Sequence, residues 1–128
     1  IAIEEGKIRH VLVILDDLVS SLKSQQTDEQ LIALFYNRRH FRPFIHTHFL
    51  ITTQKWNMVP SRFRAVVTGL FIFPVTKTEL KTIKNEIPLE AFSSVEKQLP
   101  IIWGTPNNFL FLNLTNKKFF SQFDELLI

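Results

Sequence analysis

Cysteine is absent from the 128-residue chain. That excludes a disulfide framework and a zinc–thiolate site, and it fits a reducing compartment. Glycine occurs only 3 times, too few for a glycine-rich ligand loop. Long apolar runs are missing as well. Each is broken within about eight residues, against the roughly 18 to 20 that a membrane helix needs, so no membrane span is expected. The opening Ile1-Ala2-Ile3 lacks an initiator Met and the charged and apolar segments of a secretory leader; the start is expected to be a cut within a longer chain. Charge of one sign is in short supply too. Fifteen basic residues against 12 acidic ones give a net charge of +3, which permits contact with a polyanion without requiring it.

Phenylalanine, by contrast, is abundant, with 13 copies in a chain that is 45% hydrophobic and 21% charged. These proportions are those of one globular domain spanning 1–128 around one core. After His10, the run Val11-Leu12-Val13-Ile14-Leu15 is apolar, largely β-branched and of strand length, and it stops at Asp16-Asp17. Thr27-Asp28-Glu29-Gln30 has the form of a capping box, with apolar residues following at 31, 32, 34 and 35, which predicts a helix over about 28–38. Pro43 ends the basic segment Asn37-Arg38-Arg39-His40-Phe41-Arg42, and a second strand is expected over Phe44 to Thr53.

Pro60 opens a short helix through Val67, Gly69 breaks it, and Leu70-Phe71-Ile72-Phe73 reads as a third, buried strand. Thr76-Lys77-Thr78-Glu79 is a second capping box, opening a helix that Pro88 stops. Leu89 to Leu99 reads as one further amphipathic helix, and Phe109 to Leu114 with Lys118-Phe119-Phe120 as a terminal β-hairpin. Strands alternating with capped helices predict an α/β fold with a largely parallel sheet flanked by helices. Ligands of such sheets bind just beyond the carboxyl ends of the strands, where Asp16, Asp17 and Gln54 are then expected to share a crevice.

Five apolar residues running into two carboxylates have the form of a Walker B motif. In that chemistry Asp16 holds Mg²⁺ and Asp17 orients and deprotonates the attacking water; a buried strand whose aspartates cap the next turn would look the same. Gln54 suits a γ-phosphate sensor, and equally a turn residue. Arg38, Arg39, Arg42, Arg62 and Arg64 lie at helix ends, where arginine ordinarily offsets the helix dipole; one or two of them, such as Arg38, Arg39 or Arg64, could instead reach an ATP held by a neighbouring subunit. His46 and His48 share one side of a strand, but no third ligand lies nearby in sequence, which favours a plain strand pair over a metal site. Trp56, Trp103 and the phenylalanines read mostly as core; they are not interleaved with Lys and Arg as in a base-stacking platform.

In their order, these segments resemble the poxvirus-type genome-packaging ATPases of large DNA viruses, in the HerA–FtsK superfamily of P-loop motors. Val11 to Asp17 is similar to their Walker B strand, and Asn37-Arg38-Arg39-His40 to their basic Arg-His segment. Thr52-Thr53-Gln54-Lys55-Trp56-Asn57, with Pro60 and Arg64, is similar to their Thr/Ser-Gln and Pro-x-x-x-Arg run. Asn108 to Asn113 and Lys118 to Asp124 resemble their closing hairpin. The resemblance implies the C-terminal half of a P-loop NTPase core, with ATP and Mg²⁺ as cofactors. It also implies an oligomeric ring that drives double-stranded DNA through a portal into a viral capsid, in the host cytoplasm or associated with the virion. One departure stands out: G-x-x-x-x-G-K-[ST] is absent, and Gly6-Lys7-Ile8 has neither the first glycine nor the hydroxyl residue. The phosphate loop is expected upstream. A catalytically inactive ATPase-like scaffold or interaction module is the alternative, and a nucleic-acid-binding domain without a nucleotide site is a third possibility.

Overall fold

A computed structural model of the chain describes residues 9–17, 29, 33 and 45–127. Two compact units are present, with the boundary between Val66 and Val67. In the first, strands β1 (Arg9–Asp16) and β2 (Ile45–Thr52) pair in parallel, in a register that runs from Arg9↔Ile45 to Asp16↔Thr52. Of the predicted helix over 28–38, Glu29 and Ala33 are helical and the rest lies outside the described residues. Registered residues share a face. Leu15, Phe49 and Ile51 therefore lie on one side of the pair, where they pack with Met58 and Val66 against the buried Val59 and Phe63. A 3-10 turn at Trp56–Met58 and helix α1 (Ser61–Arg64) bring Val59 and Phe63 back over the strands. The Pro60 carbonyl starts α1, accepting from the Phe63 and Arg64 amides at 3.0 and 3.1 Å.

The second unit corrects the expected fold. Strands β3 (Gly69–Ile72), β4 (Leu110–Asn113), β5 (Lys118–Ser121) and β6 (Asp124–Glu125) form an antiparallel sheet in the order β3-β4-β5-β6. The described sheets are thus one parallel pair and one four-stranded antiparallel sheet, not a largely parallel sheet flanked by helices. The reason lies in β3 and β4. Ile72, Leu110 and Leu112 are buried on one face, while Phe71 and Phe73 are exposed on the other. This is the period-two pattern of a half-covered antiparallel sheet, concealed in the sequence because the outward residues are also apolar.

Helices α2 (Lys77–Glu86), α3 (Phe92–Glu96) and α4 (Leu99–Ile102) supply the rest of this core, burying Leu80, Ile83, Phe92, Val95, Leu99 and Ile102. The capping residue of α2 is the expected one: Thr76 Oγ1 accepts the Glu79 amide at 3.2 Å. Phe92 meets Phe119 edge to face, with ring centroids 5.4 Å apart, fixing α3 to β5. Trp103 Nε1 donates to the Ile72 carbonyl at 3.3 Å, fixing the end of α4 to β3. The predicted Leu89–Leu99 helix is split in two. Pro100 has no amide hydrogen with which to continue α3, but it fits the first turn of α4. Among the described residues, no helix is long and apolar enough to cross a membrane.

Local geometry fixes two further features of this sheet. The β4–β5 turn is tied by Asn113 Oδ1, which accepts the Thr115 and Asn116 amides at 3.0 and 3.4 Å, and it closes with Lys117 at φ 59°. Gly69 leaves room for the ring of Phe111: a Cβ there would stand 3.0 Å from Phe111 Cε2.

Phe63 is completely buried, so Phe63→Ala should destabilise the first unit by about 3–5 kcal/mol in urea denaturation. Lys117→Gly should have the opposite sign, because glycine takes up a positive φ without steric cost. The expected gain, up to about 1 kcal/mol, is readable as a raised melting temperature.

Candidate functional site

The carboxyl end of the parallel pair gathers the acidic residues and the Thr-Thr-Gln segment. Because Asp16 registers with Thr52, the Thr52 hydroxyl donates to Asp16 Oδ1. The following residue, Asp17, turns the chain out of the strand at φ 53°, a conformation that aspartate tolerates better than most residues. In that turn its amide reaches the Thr52 carbonyl at 3.2 Å and Thr52 Oγ1 at 3.0 Å. Thr52 therefore holds both aspartates in place through one side chain and one carbonyl. Asp16, Asp17, Thr52 and Gln54 are all exposed.

Beyond Thr52, the chain is stiffened by its own hydrogen bonds. Thr53 Oγ1 donates to the Lys55 carbonyl at 2.9 Å and accepts the Lys55 amide at 3.3 Å, which sets the bend carrying Gln54. Trp56 is buried at the base of this bend. Arg64 lies over its ring, 5.9 Å from the centroid, and donates to Asn57 Oδ1 at 3.4 Å. A guanidinium on an indole face gains a cation–π attraction. Arg64 is thus engaged within its own unit, whereas Arg62 is exposed on the same short helix. Arg38, Arg39 and Arg42 lie outside the described residues, as do Gly6 and Lys7.

The structure joins Asp16 and Asp17 to Thr52, with Gln54 two residues beyond it in the chain, and it shows two contacts that sequence spacing alone did not reveal. One is the Thr52 bridge, for which the only signal is a hydroxyl residue at the aligned strand end. The other involves His10. It registers with His46, its Nδ1 stands 3.0 Å from His48 Nε2, and its ring stacks on both His46 and His48 with centroids 5.2 Å apart. The expected two-histidine pair is a trio, formed across 35 residues of intervening sequence by the strand register. Among the described residues, no group of three or more His, Cys, Asp or Glu side chains could hold a metal ion.

Magnesium asks less of a protein than zinc or calcium does. It keeps several waters and takes one or two carboxylates together with phosphate oxygens. The exposed Asp16 carboxylate, with its Oδ1 oriented by the Thr52 hydroxyl, offers a donor set of that modest kind. It would not serve as a closed cage for a softer or larger ion.

Thr52→Val removes the hydroxyl while keeping the strand's β-branched shape. It should cost about 0.5–1.5 kcal/mol, seen in chemical denaturation, and should shift the Asp17 amide resonance in an NMR spectrum. An unchanged Asp17 resonance would contradict the bridge. Comparison with family models, with curated proteins and with solved structures yields no match.

Proposed function

We propose that the first unit is the magnesium-and-water edge of an ATPase site, part of a motor that drives double-stranded DNA through a portal into a viral capsid. One observation carries this reading: the Asp16↔Thr52 register, which brings two consecutive carboxylates and a Thr-Thr-Gln segment to the same end of a parallel strand pair. The reading needs only that pair and makes no use of the wider sheet.

In this assignment Asp16 is the residue that would hold Mg²⁺, which when bound supplies charge neutralisation on the phosphates. Asp17, carried outward by its left-handed backbone, orients and accepts a proton from a water. Gln54 lies two residues beyond Thr52 on the stiffened bend, and its amide can donate to a phosphate oxygen while accepting from that water. Arg38 and Arg39 are the candidates for reaching a neighbouring subunit's nucleotide in a homo-oligomeric ring. Arg64 is better assigned to fixing the Trp56 loop, because its guanidinium is already committed there. The 128 residues contain no phosphate-binding loop, so nucleotide binding by this chain alone is weak and turnover requires groups it does not contain.

A second reading, an ATPase-like interaction module without catalysis, draws support from the exposed phenylalanines of the second unit.

Paramagnetic Mn²⁺ with ATP, added to the isotopically labelled chain, separates the two readings. The site predicts selective broadening of the amides at 16, 17 and 52–54, with an affinity on the order of 1 mM. Broadening should be lost in Asp16→Asn and kept in Asp17→Asn, since asparagine tolerates the same backbone conformation and Asp17 is assigned to water rather than metal. Uniform broadening, or none at these residues, would overturn the nucleotide reading. Mg²⁺-dependent hydrolysis by the isolated chain would overturn the assignment of the missing groups.

A further inference from the structure

The antiparallel sheet has an outer face whose centre is a row of phenylalanines. Cross-strand register sets Phe71 beside Phe111 and Phe111 beside Phe120. The rings of Phe71 and Phe111 stack with centroids 4.6 Å apart, and those of Phe111 and Phe120 lie 5.6 Å apart. Phe109 extends the row, 5.3 Å from Phe71, 5.5 Å from Phe73 and 5.7 Å from Phe123. Six rings are therefore continuous. Phe71, Phe73 and Phe123 are 45%, 52% and 80% exposed, although the opposite face of the same sheet is buried under helices.

We infer that this face is a self-association surface, on which a second copy of the chain packs sheet against sheet. Size is the first argument. The exposed parts of Phe71, Phe73 and Phe123 alone amount to roughly 350 Å², already within the range of the largest apolar patch on a typical monomer. With the half-buried Phe109, Phe111 and Phe120, the six rings expose at most about 560 Å² per copy, so two copies would bury about 1,000 Å² in all, the size of a weak and reversible interface.

Chemistry is the second argument. Phenylalanine carries no hydrogen-bonding handle, so these rings ask nothing polar of what covers them, and an identical apolar face satisfies them fully. The charged rim is self-complementary. Lys118 and Glu125 sit on the same face, with Lys118 Nζ 3.2 Å from Glu125 Oε1, so a two-fold arrangement brings both signs to both sides of the interface.

Net charge is the third argument, and it disfavours nucleic acid as the occupant. Beyond Val66 the sequence has six lysines and six acidic residues, so the whole net charge of +3 falls on the first 66 residues. A stacking platform for single strands combines aromatic rings with a positively charged groove. Here the one lysine on the face is paired with a glutamate.

Sedimentation velocity of the full chain over a micromolar concentration series tests this inference. The wild type should show a reversible monomer–dimer equilibrium. Phe71→Glu with Phe123→Glu should weaken it at least tenfold, and Ile101→Glu, at a residue 80% exposed on α4, should leave it unchanged. Circular dichroism checks that the variants fold. If the double variant does not, Phe123→Glu alone carries the test, because that ring is almost free of the core. Three results would overturn the proposal: a wild type that stays monomeric throughout, a dimer indifferent to the phenylalanine changes, or an oligothymidine that binds the wild type and is lost in the variants.

Discussion

Parallel pairing of β1 with β2 is the constraint on which the candidate chemistry rests. A parallel ladder has slanted hydrogen bonds and needs a long crossover connection, and two strands do not make a stable sheet unaided. Among the described residues, one face of this pair is covered by Val59 and Phe63, delivered by a short turn and a single helical turn immediately after β2. The segment that closes the core therefore also carries Gln54 and Trp56, and packing and site geometry are set by the same ten or so residues. In the register that seats Leu15, Phe49 and Ile51 against Phe63, Thr52 faces Asp16. A slip of one residue would turn every side chain of one strand to the opposite face and separate the two.

A common trait of the two sheets is that each exposes large apolar side chains on its outer side. In the parallel pair, Leu12, Ile14 and Leu50 are exposed, flanked by the histidine trio at one end and by Asp16 and Thr52 at the other. In the antiparallel sheet the centre of the outer face is a row of phenylalanines. Among the described residues of each unit, the buried side chains lie on the covered face, and the exposed apolar face is available to whatever the unit meets next. The two outer faces differ in kind. One ends in carboxylates and hydroxyls suited to a polar ligand, and the other is neutral and aromatic.

Signals within a few residues of one another were legible in the sequence. The Val11–Leu15 run is a strand that stops at Asp16, Thr76 caps α2, and the turn after Asn113 makes a hairpin. Partnership between strands was not legible. A largely parallel sheet was expected because strands alternate with capped helices; Leu70-Phe71-Ile72-Phe73 read as buried on both faces, and periodicity carries no information about partnership when both faces are hydrophobic. For the site, the placement of Asp16, Asp17 and Gln54 at neighbouring strand ends followed from strand order. The role of Thr52, the joining of His10 to His46 and His48, and the commitment of Arg64 to Trp56 depend on register and on chain reversal, which no local pattern encodes.

The close approach of the Phe111 ring to Gly69 has a consequence for how such a chain can vary. With only 3.0 Å between the ring and a would-be Cβ, positions 69 and 111 share one volume, and neither can enlarge unless the other shrinks. A glycine at an edge strand ordinarily weakens it, yet here the neighbouring ring fills the gap and shields the exposed backbone. The two positions are therefore expected to change together, large with small, in any descendant that keeps this sheet.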